Sequence, residues 1–201
     1  MVAGVCLLLS SAVLGQRTFG ATLLAGFNAS QIDGDDYAGF NKVGLNVGIR
    51  GDILLSEKMQ VGMELIWSQR GSRSELLAGQ SGVPQLKIDL DYVQVPVLFK
   101  YNDWYIEDGD YYRVHAFTGL SYGRLMRAKA ENSFFEGQTE LFRKNDIGFH
   151  IGAGYLFNEN LALTIRFNRG LTLLFDRRDN PLVARSHLTR YLTFRLEYSL
   201  L

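Results

Sequence analysis

Three histidines, His115, His150 and His187, are the side chains of this sequence that ordinarily titrate near neutrality. An acyl hydrolase would need one of them beside a serine and a carboxylate, converging where substrate can reach. Ser68 and Glu64 share the facing of His150 in an alternating pattern, but they lie on a segment that is not its neighbour. No spacing marks a nucleophile, so polar packing is the preferred reading of His150 and catalytic residues are not expected. Asp33-Gly34-Asp35-Asp36 offers carboxylates to a hard cation, yet no Glu follows at the distance a calcium loop needs, and a solvated loop is preferred. Cys6 is the one cysteine and sits in the N-terminal apolar run. The remainder of the chain therefore has no thiol, no disulfide and no cysteine-based metal site, and no cofactor or metal is expected.

The more informative charges recur at every second residue beside glycine. Arg50, Glu64, Arg70, His150, Arg166, Arg195 and Glu197 all occupy the polar phase of an alternating segment, where they would meet as a compensated charge network. Outside such segments, the stretch from Asp176 to Arg190 carries Arg177, Arg178, Arg185 and Arg190 against two aspartates. Arginine forks bind phosphate bidentately, so this stretch is either a lipopolysaccharide-facing loop or a charged solvated one. Glu131 to Phe142 holds Phe134, Phe135 and Phe142, which would mark a partner surface or pack over the mouth of the fold.

The elements that must position these groups are strands. Alternation of apolar and polar residues runs along nearly the whole chain. Eight strands are expected near 18–30, 43–55, 59–70, 87–101, 112–125, 146–157, 161–174 and 190–200. Their connections alternate short (56–58, 102–110, 158–160) and long (31–42, 71–86, 126–145, 175–189), as in an up-and-down meander with one end in the periplasm and the other outside. Strand two sets Val43, Leu45, Val47, Ile49 and Ile53 against Gly44, Asn46, Gly48, Arg50 and Asp52. In "LDYVQVPVLFKY" the phase switches near Asp91–Tyr92, predicting a bulge, and Pro96 must forgo a ladder hydrogen bond.

Bulk composition narrows the class. The 201 residues hold 21 basic and 21 acidic side chains, 21 Gly, 13 Phe and 10 Tyr. A balanced charge excludes a field that would draw nucleic acid, and the glycine and aromatic content suits long strands. MVAGVCLLLSSAVLG, residues 1–15, is shorter than the roughly 20 residues of a spanning helix and reads as a secretory signal peptide, with residues 16–201 a single domain. A soluble carrier barrel would fill its lumen with the bulky set and meet water with the other. That other set is glycine with Arg, Glu, Asp, Asn and Thr, poor for solubility. A transmembrane barrel turns the bulky set to lipid instead and closes because an open edge in lipid leaves backbone groups unpaired. Tyr101, Trp104, Tyr105, Tyr111 and Tyr112 around one turn, and Trp67 at the far end, suit the two membrane interfaces. Eight strands leave room only for their own side chains, so a filled, non-conducting lumen is expected.

"GFNASQIDGDDYAGFNKVGLNVGI", "MQVGMELIWSQRGS" and "LDYVQVPVLFKY" resemble the Bacteroidetes-type outer-membrane β-barrel family, the group that contains the PorT-like proteins. The resemblance runs from about Phe19 to Leu201. It implies an all-β, eight-stranded antiparallel transmembrane barrel in the outer membrane, in contact with outer-membrane lipid and lipopolysaccharide. For PorT-like members it implies a part in a secretion apparatus with envelope protein partners. The expected function is thus a non-enzymatic structural, docking or secretion component, with a lipid A-modifying enzyme or a small-solute channel as the alternatives.

Overall fold

A computed structural model describes residues 19–33, 40, 42–73, 87–131, 142–174 and 188–200. Residues 1–15 with Cys6, the Asp35 and Asp36 carboxylates, Phe134, Phe135, Arg177, Arg178, Arg185 and His187 lie outside the described residues. Eight strands, β1 (Phe19–Asp33), β2 (Lys42–Leu54), β3 (Met59–Arg73), β4 (Lys87–Ile106), β5 (Tyr111–Glu131), β6 (Asn145–Leu156), β7 (Leu161–Gly170) and β8 (Leu188–Ser199), form a closed antiparallel barrel. Each strand pairs with its chain neighbours, and β8 returns to β1 through Phe27↔Phe194 and adjacent pairs. Closure leaves no edge whose amides lack a partner.

The alternation sorts the faces as expected. Ile49, Met63, Leu65, Leu120, Ile151, Ile165 and Leu196 are about half exposed, whereas Arg50, Glu64, Arg70, His150, Arg166, Arg195 and Glu197 are at most 6% exposed. Apolar outside and charged inside is the inverse of a water-soluble domain. The outward apolar stretches Met59–Trp67, Val93–Tyr101 and Val114–Tyr122 each span about nine residues, the length at which a tilted strand crosses a bilayer. Thr118, in the middle of one stretch, donates its hydroxyl to the His150 carbonyl, which spares a polar group in lipid.

Exposed aromatics border the band. Tyr101, Trp104, Tyr105, Tyr155 and Phe157 line the end with short turns, and Trp67 and Tyr122 the other. Asn158 shapes one turn by accepting hydrogen bonds from the Asn160 and Leu161 amides. In the β2–β3 turn Lys58 bonds Asp103 at 2.9 Å, and that hydrogen bond holds the ammonium pKa above its ordinary range.

Three expectations change. The connection expected at 102–110 is mostly strand: β4 continues to Ile106, and a short 3-10 turn, Glu107–Gly109, reverses the chain with Asp110 in the left-handed region. Tyr105 packs against Tyr112 with the rings tilted by 57° and donates to Asp110 at 2.6 Å, which holds the longer hairpin together. The bulge lies beside Asp91–Tyr92 but on the partner strand. Tyr92 faces Leu125 and Asp91 faces Arg127, leaving Met126 as the extra residue of β5. In β4, Ile88, Leu90, Tyr92, Gln94, Leu98 and Lys100 all point inward without a break. The apparent switch was a change of chemistry along one face. Finally, β7 ends at Gly170, and Leu174 turns in to join Ile88, Leu90, Tyr92 and Phe142 in an apolar cluster over the barrel's outer mouth. Phe142 is 3% exposed, so it packs over the mouth instead of waiting for a partner.

Met63 stands midway along the apolar stretch of β3. Met63→Arg puts a charge at the bilayer centre and should cost about 2–4 kcal/mol of stability, with a smaller cost for Val43→Arg near the rim. Equilibrium denaturant unfolding in lipid vesicles reads both.

Candidate functional site

The lumen is built around one carboxylate. Glu64 points inward from β3 and its side chain is fully buried. Arg166 of β7 grips it with Nη1 at 2.9 Å and Nη2 at 2.8 Å. Arg195 of β8 grips it from a second side at 3.2 and 2.7 Å. Arg195 also reaches Glu197 through Nε at 3.0 Å and Nη2 at 2.7 Å. Glu197 in turn accepts from Arg50 at 2.5 Å and from the Thr164 hydroxyl at 2.9 Å. Arg50 closes the ring on Glu64 at 3.7 Å and also bonds Asp52 at 2.7 Å, and Lys100 stands 3.9 Å from the Asp52 carboxylate. Five strands thus meet in one ionic layer within the lumen.

Arg70 stands apart from that layer. It bonds Asp146 at 2.9 Å and lies between the rings of Tyr92 and Tyr191, 4.1 and 4.7 Å from their centroids. A layer of amides and hydroxyls separates the two ionic groups. Asn28 donates to Ser68 and accepts from Asn46 and Thr193, and Asn168 donates to Thr193. His150 belongs to this middle layer, its Nδ1 2.6 Å from the Asn168 side-chain oxygen.

Glycines on β6 make the packing possible. A Cβ at Gly154 would lie 2.3 Å from His115, and one at Gly152 would lie 2.5 Å from Phe117. The room is therefore used by the neighbouring strand β5, not by Arg166 directly. Phe117 then supports Arg166, whose guanidinium is 5.0 Å from the ring centroid.

Among the described residues the arrangement does not bring a serine, a histidine and a carboxylate together. Ser68 is held by Asn28, and Glu64 is saturated by arginines. The serine beside His150 is Ser121, which pairs across β5–β6 with Gly148. It makes no hydrogen bond to the imidazole, and the third group is an amide, Asn168, in place of a carboxylate. Among the described residues no group of histidines, cysteines and carboxylates is arranged to hold a metal ion.

The outer rim is the second candidate region. Directly beyond the apolar band the outward face carries Gln69, Asp91, Arg124, Asn145, Arg169 and Arg190. Arg190, the described member of the expected arginine loop, begins its run at the base of β8, where it bonds Gln31 at 3.0 Å and lies 5.9 Å from the Phe40 ring centroid. Sequence reasoning missed Lys100, and it placed Asp52 and Asp146 on the polar face without naming them in the charge network. Strict two-residue parity carried through β4 would have included Lys100.

The profile of the outer membrane protein beta-barrel domain family matches residues 10–176. No curated protein sequence matches the chain. Among solved structures, the attachment invasion locus protein Ail of Yersinia pestis is similar at 13% identity, with 90% of this chain and 99% of that chain covered and a TM-score of 0.49. Neisserial surface protein A is similar at 11% identity, covering 90% and 96%, with a TM-score of 0.44. OprG of Pseudomonas aeruginosa is similar at 11% identity, covering 91% and 97%, with a TM-score of 0.43.

Removing the Glu64 charge leaves Arg166 and Arg195 buried without their shared partner. Glu64→Gln should lose roughly 3–5 kcal/mol of stability, as breaking a buried ion pair does. Lys58→Ala, which breaks a solvent-exposed pair, should leave the same unfolding midpoint unchanged.

Proposed function

Because the chain belongs to the outer membrane protein beta-barrel domain family and is an integral outer-membrane barrel, we propose that it serves there as a non-enzymatic, non-conducting anchor. In this reading the barrel holds long outer connections in place for docking. The observation that carries it is the ionic layer around Glu64, in which Arg50, Arg166, Arg195 and Glu197 interlock across the lumen and leave it filled. The apolar cluster of Ile88, Leu90, Tyr92, Phe142 and Leu174 lies over the same passage. An eight-stranded wall has little interior beyond what its own side chains occupy.

The finer role is a docking or secretion-apparatus component. The likeness of three sequence stretches to the group containing the PorT-like proteins supports it, as does a lumen whose charges interlock and whose described residues assemble no catalytic cluster. The stretch with Arg177, Arg178, Arg185 and Arg190 is proposed to face lipopolysaccharide, whose phosphates match guanidinium forks.

In planar bilayers the purified barrel should show conductance at background; steady ion-sized currents would refute the filled anchor. Mild-detergent capture of the tagged chain from its native outer membrane should bring down secretion-system subunits. Recovery of the barrel alone would refute the docking role.

A further inference from the structure

The outer wall holds a feature that the lumen does not account for. Beyond the apolar band, β3, β4 and β5 continue as a three-stranded flap, with cross-strand rows Gln69–Asp91–Arg127, Gly71–Asp89–Lys129 and Arg73–Lys87–Glu131. An open cavity of about 210 Å³ lies against these rows, lined by Lys42, Gln69, Lys87, Asp91, Arg127 and Lys129 among others.

Its charges are unevenly matched. Asp89 is neutralised twice, by Lys42 and by Lys87 at 3.0 Å. Asp91 accepts from the Gln69 amide at 3.1 Å. Arg127 and Lys129 are both exposed, and neither is in an ion pair among the described residues. Gly71 has φ +152°, and a Cβ there would lie 1.8 Å from the Ile88 carbonyl, so no side chain can occupy that point of the middle row. Lys42 of β2 reaches across to Asp89 on β4.

Position decides the ligand. Gln69, Asp91 and Arg127 occupy the outward face, the same face that presents Trp67, Val93 and Tyr122 nearer the membrane. A ligand seated here meets cations above and an apolar wall directly below. Soluble anions use only the first. An amphiphile whose phosphate sits above its acyl chains uses both. The cavity is also smaller than the roughly 300–1,000 Å³ clefts that enclose a whole small ligand, as suits a head group whose remainder lies along the wall.

We propose that this cavity binds the phosphorylated head group of an outer-leaflet glycolipid, with Arg127 and Lys129 as its principal cationic contacts. The inference rests on the outer-membrane reading, with the short turns in the periplasm. It concerns the wall of the barrel and not the arginine loop of residues 176–190.

Titration of the full chain in neutral-detergent micelles with diphosphoryl, monophosphoryl and dephosphorylated lipid A, followed by native mass spectrometry, tests it. Binding should rise with phosphate number. The double variant Arg127→Gln, Lys129→Gln should weaken diphosphoryl lipid A binding by about tenfold or more, since each cation near an anionic surface contributes about fivefold. Heat-modifiable gel migration confirms that the variant is folded. The control variant Lys58→Gln, at the end of the barrel with the short turns, should leave this binding in place. Equal binding of the dephosphorylated lipid, or wild-type binding by the double variant, would overturn the proposal. So would inorganic pyrophosphate binding as tightly as the lipid, which would mark a site for soluble anions. Channel currents in the bilayer experiment would sink the anchor reading and leave this result untouched.

Discussion

A fully buried carboxylate shared by two guanidinium groups is the constraint around which this barrel is organised. Glu64 taken alone would be costly to place away from water, and so would Arg166 or Arg195. Together they offset one another only if β3, β7 and β8 hold them at bidentate distance. The pairing spans 102 and 131 residues of chain, so it exists only when the barrel has closed. Charge compensation thereby makes closure specific as well as favourable. A slip of one residue in any of these strands would turn its charges into lipid.

The same inversion explains the outside. In water, half-exposed Ile49, Leu65, Ile151 and Leu196 would be a liability; in a bilayer they are ordinary solvent contact. The width of the band, about nine residues on β3, β4 and β5, sets where charge may resume. It resumes at once, with Asp91 and Arg124 following Val93 and Tyr122 by two positions. Ion pairs outside the band, such as Lys58–Asp103, are screened by water and carry little of the stability. Those inside are shielded from it. Stability and the interlocking of charges across the lumen are two results of one packing arrangement.

Much of this was legible in two-residue periodicity. The faces of β2, β3, β6, β7 and β8 could be sorted almost residue by residue, because bulky and polar sets mix little there, Ile66 and Tyr191 being inward exceptions. Strand β4 misled because parity and polarity separate along it. Its inward face passes from Lys100 and Gln94 to Tyr92, Leu90 and Ile88, as the lumen gives way to an apolar cap. A reader who equates inward with polar must see a phase switch. The irregularity belongs to β5, where Met126 shifts the register. No local pattern assigns a bulge to one partner of a pair that has not yet been built.

What the sequence by itself determined is the solvent of each face, the number of strands and the compartment. Those follow from local alternation, from the lengths of apolar stretches and from the expense of an open edge in lipid. Only the tertiary structure decided who meets whom. It put Arg70 with Asp146 between two tyrosine rings, far from the Glu64 layer that its charge might have joined. It gave the space beside Gly152 and Gly154 to Phe117 and His115, and gathered Lys42, Arg127 and Lys129 around one cavity. The reason is geometric. Alternation says whether a side chain points in or out, but its partners depend on register, stagger and closure, which are properties of all eight strands at once.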